Sequence, residues 1–165
     1  VPRSRLASAP KISLLTLGHV VPMVSFLPKA ERLRADLHSL SKRKCITWVD
    51  VTAPTDACCF ALCDPAAVSG VAPEDGDQLW PLVLSAAYNR TIHPKRMEEM
   101  KTDFFKLHIL YLCALDKPEQ YDYFRVTAGP ETLGARFEGY NSSPKTNRET
   151  MSTFHSMKAN TWINR

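Results

Sequence analysis

Glycine is scarce in this sequence, and the glycine-rich motifs of two large enzyme classes are missing. The chain has only 6 glycines among 165 residues. None of them forms the loop that cradles nucleotide phosphates, so a nucleotide-dependent enzyme is not indicated. The G-x-S-x-G motif, which presents a catalytic serine at a strand-to-helix turn, is also absent. We therefore expect no complete serine-hydrolase triad within this chain.

The sequence also has only a small excess of positive charge and no long apolar run. The net charge is only +4, without a basic stripe, which argues against a nucleic-acid partner. The longest uncharged run, residues 12–28, is slightly short for a membrane-spanning helix and contains Gly18 and Pro22. No apolar core follows Val1 closely, so a signal peptide is not expected. A start at valine rather than methionine favours a piece of a longer protein. We expect a cytoplasmic or membrane-associated protein and not a secreted one.

The cysteines predict neither a disulfide framework nor a metal site. Their number is odd and their spacing is irregular, which indicates reduced thiols; they are Cys45, Cys58, Cys59, Cys63 and Cys113. A zinc site built from Cys58, Cys59 and Cys63 would need a fourth ligand at a suitable spacing, and none is nearby. We predict no metal and no cofactor.

Three apolar segments predict the strands of a parallel sheet. Residues 11–17 and 46–52 are apolar or β-branched, and residues 78–88 form either a third strand or a helix. Apolar positions three and four residues apart predict an amphipathic helix over residues 28–40. Strand, helix and strand at this spacing indicate a βαβ crossover between parallel strands. The sequence thus predicts an α/β fold, and its length allows one domain.

Further helices are predicted from Pro94, from Asp116 and over residues 131–138. Asp116 resembles an N-cap because Pro118 and Glu119 follow it. The composition divides the chain into three parts, which are a flexible entry at 1–10, a folded domain at 11–138 and a polar, disordered tail at 139–165.

Asp56 is the candidate catalytic acid. It follows the second predicted strand on a turn, and open α/β sheets place their chemistry at the carboxyl ends of strands. The alternative is that Asp56 only caps this turn or the next helix. Because parallel strands end at one edge of a sheet, His19 should lie at the same rim.

His108 is the candidate catalytic base, since it is a polar residue inside an apolar run. The alternative is a core histidine that is bonded to a backbone carbonyl. His19 and His93 are secondary candidates, and His93 also fits a helix cap before Pro94.

Several segments resemble the C-terminal half of a bacterial α/β-hydrolase family that is distantly similar to class 3 lipases. The similarity extends over residues 11–137 and rests on LLTLG at 14–18, PMVSFLP at 22–28, WVD through APTD at 48–56, CDP at 63–65, and FKLH at 105–108 with the following Tyr111 and Leu112. This resemblance implies an upstream G-H-S-S-G elbow, Asp56 as the acid, His108 as the histidine and an acyl-ester substrate. It also implies a membrane-spanning segment further upstream.

We therefore predict a partial α/β-hydrolase-like parallel sheet with flanking helices, which carries an acid and a histidine but is inactive alone. An incomplete sheet would expose a strand edge and promote self-association. The alternative function is a non-catalytic interaction module on a degenerate hydrolase scaffold. Its binding surface would combine residues 12–28 with the face of Met97, Met100 and Phe104.

Overall fold

Three parallel strands form the sheet, in the order β1-β2-β3. The computed structural model describes residues 12–74 and 76–152, so the predicted flexible entry lies outside the described residues. The strands are β1 at Ile12–Leu17, β2 at Ile46–Thr52 and β3 at Leu82–Ser85. The predicted α/β class is confirmed in its coarse form, a parallel sheet with flanking helices.

Helices connect the strands and cover the sheet. They are α1 at Val21–Ser25, α2 at Glu31–Ser41, α3 at Pro65–Val68, α4 at Tyr88–Thr91, α5 at Pro94–Met100, α6 at Phe104–Ile109, α7 at Tyr123–Thr127 and α8 at Leu133–Arg136. The crossover between β1 and β2 contains α2, which confirms the predicted βαβ unit. Within the described ranges, no helix has the length and apolar character needed to cross a membrane.

Strand β2 is the centre of the core, and all seven of its residues are buried. Because side chains alternate along a strand, the two faces of β2 enter different clusters. Val49 and Val51 pack with Tyr111 on one face. Trp48 packs with Leu37 of α2 on the other. The end of β2, where Asp56 follows, is therefore held by packing on both sides of the sheet.

The predicted helix start at Asp116 is wrong. The Asp116 carboxylate instead accepts a hydrogen bond from the backbone N–H of His93 at 2.7 Å and pairs with Arg96 at 3.1 Å. Helix α7 begins later, after Asp122, whose carboxylate accepts from the N–H groups of Phe124 and Arg125. The Asp116 carboxylate, which the local sequence pattern assigned to a helix cap, thus binds residues that are distant in the sequence.

The two edges of the sheet are covered differently. The N–H of Ser143 donates to the Val83 carbonyl at 2.8 Å, and the N–H of Val83 donates to Ser142 Oγ at 3.0 Å. These bonds cover the outer edge of β3. No strand among residues 12–74 and 76–152 pairs with the outer edge of β1, where Ile12 is 59% exposed. An uncovered strand edge is a ready surface for pairing with another strand.

The segment after Gly139 is described up to residue 152 and is hydrogen bonded to the sheet domain. The N–H of Asn147 donates to the Leu62 carbonyl at 2.7 Å, and the N–H of Met151 donates to the Val68 carbonyl at 2.8 Å. These bonds fix the segment against the connection between β2 and β3. The predicted disorder beyond residue 152 lies outside the described residues.

Asp64 is the N-cap residue of α3, and its replacement should lower the stability of the protein. Its buried carboxylate accepts from the N–H groups of Ala66 and Ala67 at 3.1 and 3.2 Å, and from Gln78 at 2.6 Å. We expect Asp64→Ala to lower the free energy of unfolding by about 1–2 kcal/mol, since the cap is lost. Asp64→Asn should cost less because asparagine also caps helices. Urea denaturation measures both, and equal losses would contradict this role.

Candidate active site

Asp56 lies just after β2, in a turn that holds its carboxylate firmly. The Asp56 N–H donates to the Ala53 carbonyl at 2.9 Å, and the Cys58 N–H donates to Asp56 Oδ1, also at 2.9 Å. Asp56 Oδ2 accepts from the Tyr111 hydroxyl at 3.0 Å and is 2.9 Å from His108 Nδ1. The residue is only 2% exposed. Asp56 therefore both caps its turn, as the alternative interpretation held, and pairs with the candidate base.

His108 is placed on α6, which Asp103 caps by accepting from the Lys106 N–H at 3.0 Å. The His108 side chain is 33% exposed, so it lies at the surface and not in the core. Asp56 is its one hydrogen-bond partner among the described residues, and no backbone carbonyl binds it. A carboxylate only accepts, so Nδ1 must carry the proton of this bond. The lone pair of a neutral imidazole then lies on Nε2.

Tyr111 supports the pair, although the sequence analysis named it only as part of the family resemblance and predicted no contact for it. It lies three residues after His108, in the 3₁₀ helix at Leu110–Leu112 that directly follows α6. Its buried hydroxyl accepts from the Ala53 N–H at 2.9 Å and donates to Asp56 Oδ2. Burial raises the pKa of Tyr111, so the phenol remains a donor at neutral pH. The His-x-x-Tyr spacing was the available signal for this contact.

Gly18, at the end of β1, lies against the same three side chains. Its φ of +56° is in the left-handed region that glycine tolerates best. A Cβ atom built there would be 2.6 Å from Tyr111 Cε2, 3.0 Å from His108 Cε1 and 3.2 Å from Asp56 Oδ2. The absence of a side chain at Gly18 allows the end of β1 to approach the pair this closely.

The secondary candidate His19 pairs with a different acid. His19 Nε2 is 3.2 Å from Oδ2 of Asp50, which is fully buried in β2. The two atoms lack the alignment of a hydrogen bond, and neither has another partner in the described part of the chain. Thr16 donates to the other Asp50 oxygen at 2.6 Å. His19 follows the end of β1, as expected, but its side chain does not join Asp56.

The other secondary candidate, His93, is exposed and caps α5. Its Nδ1 accepts from the Lys95 N–H at 3.3 Å, which agrees with the predicted cap before Pro94. It has no hydrogen bond to Asp56 or His108.

Two consecutive cysteines near Asp56 have different environments. Cys58 is exposed, whereas Cys59 is half-buried with its sulfur 3.6 Å from the Tyr111 hydroxyl. Burial raises the pKa of the Cys59 thiol to about 11, so this group is protonated at neutral pH. Cys58 is therefore the more exposed thiol of the two near the acid and the histidine.

A cleft of about 580 Å³ opens near the carboxyl ends of β2 and β3. Its lining residues include Thr55, Asn89, Ser142 and the ion-paired Arg90 and Glu119. Neither Asp56 nor His108 lines it. The cleft is therefore separate from the acid–histidine pair, and it does not define a substrate pocket for that pair.

The pair can accept, hold and return a proton, but in the described part of the chain no serine or threonine hydroxyl is hydrogen bonded to it. No serine among residues 12–74 and 76–152 is hydrogen bonded to His108. Ser25 and Ser69, for example, bond to each other at 2.6 Å inside the fold. The arrangement within the described residues is thus an acid and a base without the third member of a triad.

Comparison with known proteins gives no match: no family model fits the sequence, and no curated protein or solved structure is similar to it at a significant level.

Proposed function

We propose that this chain carries the acid and the histidine of a serine-hydrolase-type site for acyl esters, on a partial α/β-hydrolase-like sheet. The observation that carries the proposal is the 2.9 Å contact between Asp56 Oδ2 and His108 Nδ1 at the carboxyl edge of a parallel sheet. The nucleophilic serine lies in sequence upstream of this chain, because the 165 residues contain no G-x-S-x-G elbow.

In this proposal each contact of the pair has a chemical task. His108 Nε2 takes the proton of the attacking serine and later gives it to the leaving alcohol. The Asp56 carboxylate holds the ring orientation and stabilises the imidazolium that forms. The Tyr111 hydroxyl and the Cys58 N–H both donate hydrogen bonds to the Asp56 carboxylate and fix its position. Asp56 therefore does not have to reorganise during proton transfer.

The chain order and the sheet edge support the same proposal. In α/β-hydrolases the serine precedes the acid, and the acid precedes the histidine. Here Asp56 follows β2 and His108 comes 52 residues later, after β3. A strand that carries an upstream serine would pair with the outer edge of β1. That edge is uncovered among the described residues, whereas residues 142 and 143 cover the edge of β3.

The proposal predicts that ester hydrolysis depends on residues outside this chain. The test compares the 165-residue protein with a longer protein that adds the sequence encoded directly upstream, using p-nitrophenyl butyrate. The longer protein should hydrolyse the ester and lose activity after treatment with a serine-directed phosphonate, and the shorter one should be inactive. Esterase activity of the short chain that resists the phosphonate, or inactivity of both folded proteins, would contradict the proposal.

A second candidate function is the non-catalytic interaction module. The observation that favours it is a group of exposed apolar side chains on and beside α1, namely Val20, Met23, Val24 and Leu27. The other part of the predicted surface fits less well, because Met97 and Met100 pack against the core and only Phe104 is largely exposed. Light scattering of the short chain separates the two functions, since a stable, monodisperse oligomer favours the module.

A further inference from the structure

Three different ligand types converge beside the turn after β2. Asp56, Cys58 and His108 each offer one atom, a carboxylate oxygen, a sulfur and a ring nitrogen, and these atoms all lie within 4.8 Å of one another. The acid is buried, the histidine side chain is 33% exposed and the cysteine is exposed. The group is therefore anchored inside the protein and open to solvent on the cysteine side.

Two of the three ligands are already fixed relative to each other by hydrogen bonds. Asp56 Oδ2 is 2.9 Å from His108 Nδ1, and Asp56 Oδ1 accepts from the Cys58 backbone N–H at 2.9 Å. The second bond places the Cys58 backbone directly beside the carboxylate. The exposed Cys58 side chain can adjust by rotation about its Cα–Cβ bond, which changes the position of the sulfur by more than an ångström. Asp56 Oδ2 and His108 Nδ1 must exchange their 2.9 Å hydrogen bond for bonds to the ion, which places them about 3.3 Å apart.

The separations fit a tetrahedral site after these two adjustments. Zinc bonds of about 2.0–2.1 Å to nitrogen and oxygen and about 2.3 Å to sulfur place ligand atoms about 3.3–3.6 Å apart. The limit of 4.8 Å in the protein is about an ångström longer than these distances. Three protein ligands with an open fourth position are typical of zinc sites that keep a bound water.

We propose that Asp56, Cys58 and His108 bind a divalent transition-metal ion of the zinc type, with water as the fourth ligand. On binding, the thiol releases its proton to solvent and the imidazole proton moves from Nδ1 to Nε2, so that Nδ1 donates its lone pair to the ion; the carboxylate binds as an anion. The sulfur ligand selects against magnesium and calcium, which take oxygen ligands. The spacing of ligand residues along the sequence does not reveal this site. His108 is 50 residues away from Cys58, and only the fold brings the two side chains together.

Metal binding and the hydrogen-bonded pair are alternative states of the same side chains. The Asp56 carboxylate cannot keep its present bonds and also coordinate an ion through the same oxygen lone pairs. If the pair is the acid and base of the proposed hydrolase, bound metal inhibits ester hydrolysis. This inhibition rests on the proposed function, whereas the binding itself does not.

The test uses cobalt(II) as a spectroscopic substitute for zinc in the reduced 165-residue protein. We expect one equivalent of cobalt to produce a near-ultraviolet band of thiolate-to-cobalt charge transfer, and zinc to abolish it. Cys58→Ser should remove the band, and His108→Ala should weaken affinity about tenfold or more. Cys45→Ser is the matched control, since Cys45 is also exposed but is not one of the three ligands. A band that persists in Cys58→Ser overturns the proposal.

A second readout needs no substitution. Alkylation of the unchanged protein with iodoacetamide, followed by peptide mass spectrometry, gives separate rates for Cys58 and Cys45. Zinc should slow alkylation of Cys58 at least tenfold and leave Cys45 unaffected. Equal rates with and without zinc at Cys58 would overturn the site. Neither readout involves ester hydrolysis, so the metal site and the proposed function can fail independently.

Discussion

Replacement of His108 by alanine should lower kcat for ester hydrolysis by the longer, nucleophile-containing protein by about 10²–10⁴-fold, the usual contribution of a general base. The reason is that the serine would lose the group that takes its proton. KM should change much less, because in the proposed function His108 would act on the reacting proton and not on the acyl chain. His108→Gln should be equally inactive although it retains a polar side chain of similar length, since glutamine does not transfer protons at neutral pH.

His93→Ala is the matched control for this experiment. His93 is an exposed histidine that caps α5 and has no hydrogen bond to Asp56 or His108. Its replacement should weaken a helix cap without changing kcat. Full activity of the His108 variants, or a comparable loss in His93→Ala, would remove His108 from the mechanism.

Gly18→Ala should be the most destabilising single-methyl change at the site. The new Cβ would lie 2.6 Å from Tyr111 Cε2, closer than real contacts allow, so Tyr111 must move. Left-handed backbone costs alanine about 1–2 kcal/mol, and crowding in a packed region adds about 1–3 kcal/mol. We expect the free energy of unfolding to fall by about 2–5 kcal/mol in total. Because Tyr111 holds both Asp56 and the Ala53 N–H, catalysis by the longer protein should fall as well.

Gly139→Ala separates strain from crowding. Gly139 has a φ of +76°, but a Cβ there would meet nothing within 4 Å. Its replacement should therefore cost only the backbone strain of about 1–2 kcal/mol. Urea denaturation of both variants gives the difference directly. A loss at Gly18 no larger than the loss at Gly139 would show that the end of β1 does not constrain the acid–histidine pair.

The sequence was sufficient for β1 and β2 because these strands carry strong local signals, whereas residues 78–88 left β3 open between a strand and a helix. β-branched residues and Trp48 mark β2, and Pro54 marks its end, so the position of Asp56 after a buried strand followed from the pattern alone. The parallel βαβ geometry then followed from the length of the α2 connection. The strand signals and the length of the connection depend on residues that are close together in the sequence, so they can be read from one sequence alone.

The contacts that complete the site depend instead on the tertiary fold. Tyr111 joins Asp56 across 55 residues, and Cys58 approaches His108 although no spacing rule links them. The missed start of α7 has the same cause, because Asp116 binds the N–H of His93, 23 residues earlier. Local patterns predict which groups are available, but only packing decides which partner each group takes.

Asp56 holds the His108 ring with the proton on Nδ1 and the lone pair on Nε2. Long-range ¹H–¹⁵N correlation spectra of the metal-free 165-residue protein, recorded with the ring neutral, measure this directly. We predict an Nδ1–H tautomer for His108, and its loss in Asp56→Ala. A ring protonated on Nε2, or one that is unaffected by Asp56→Ala, would contradict the account.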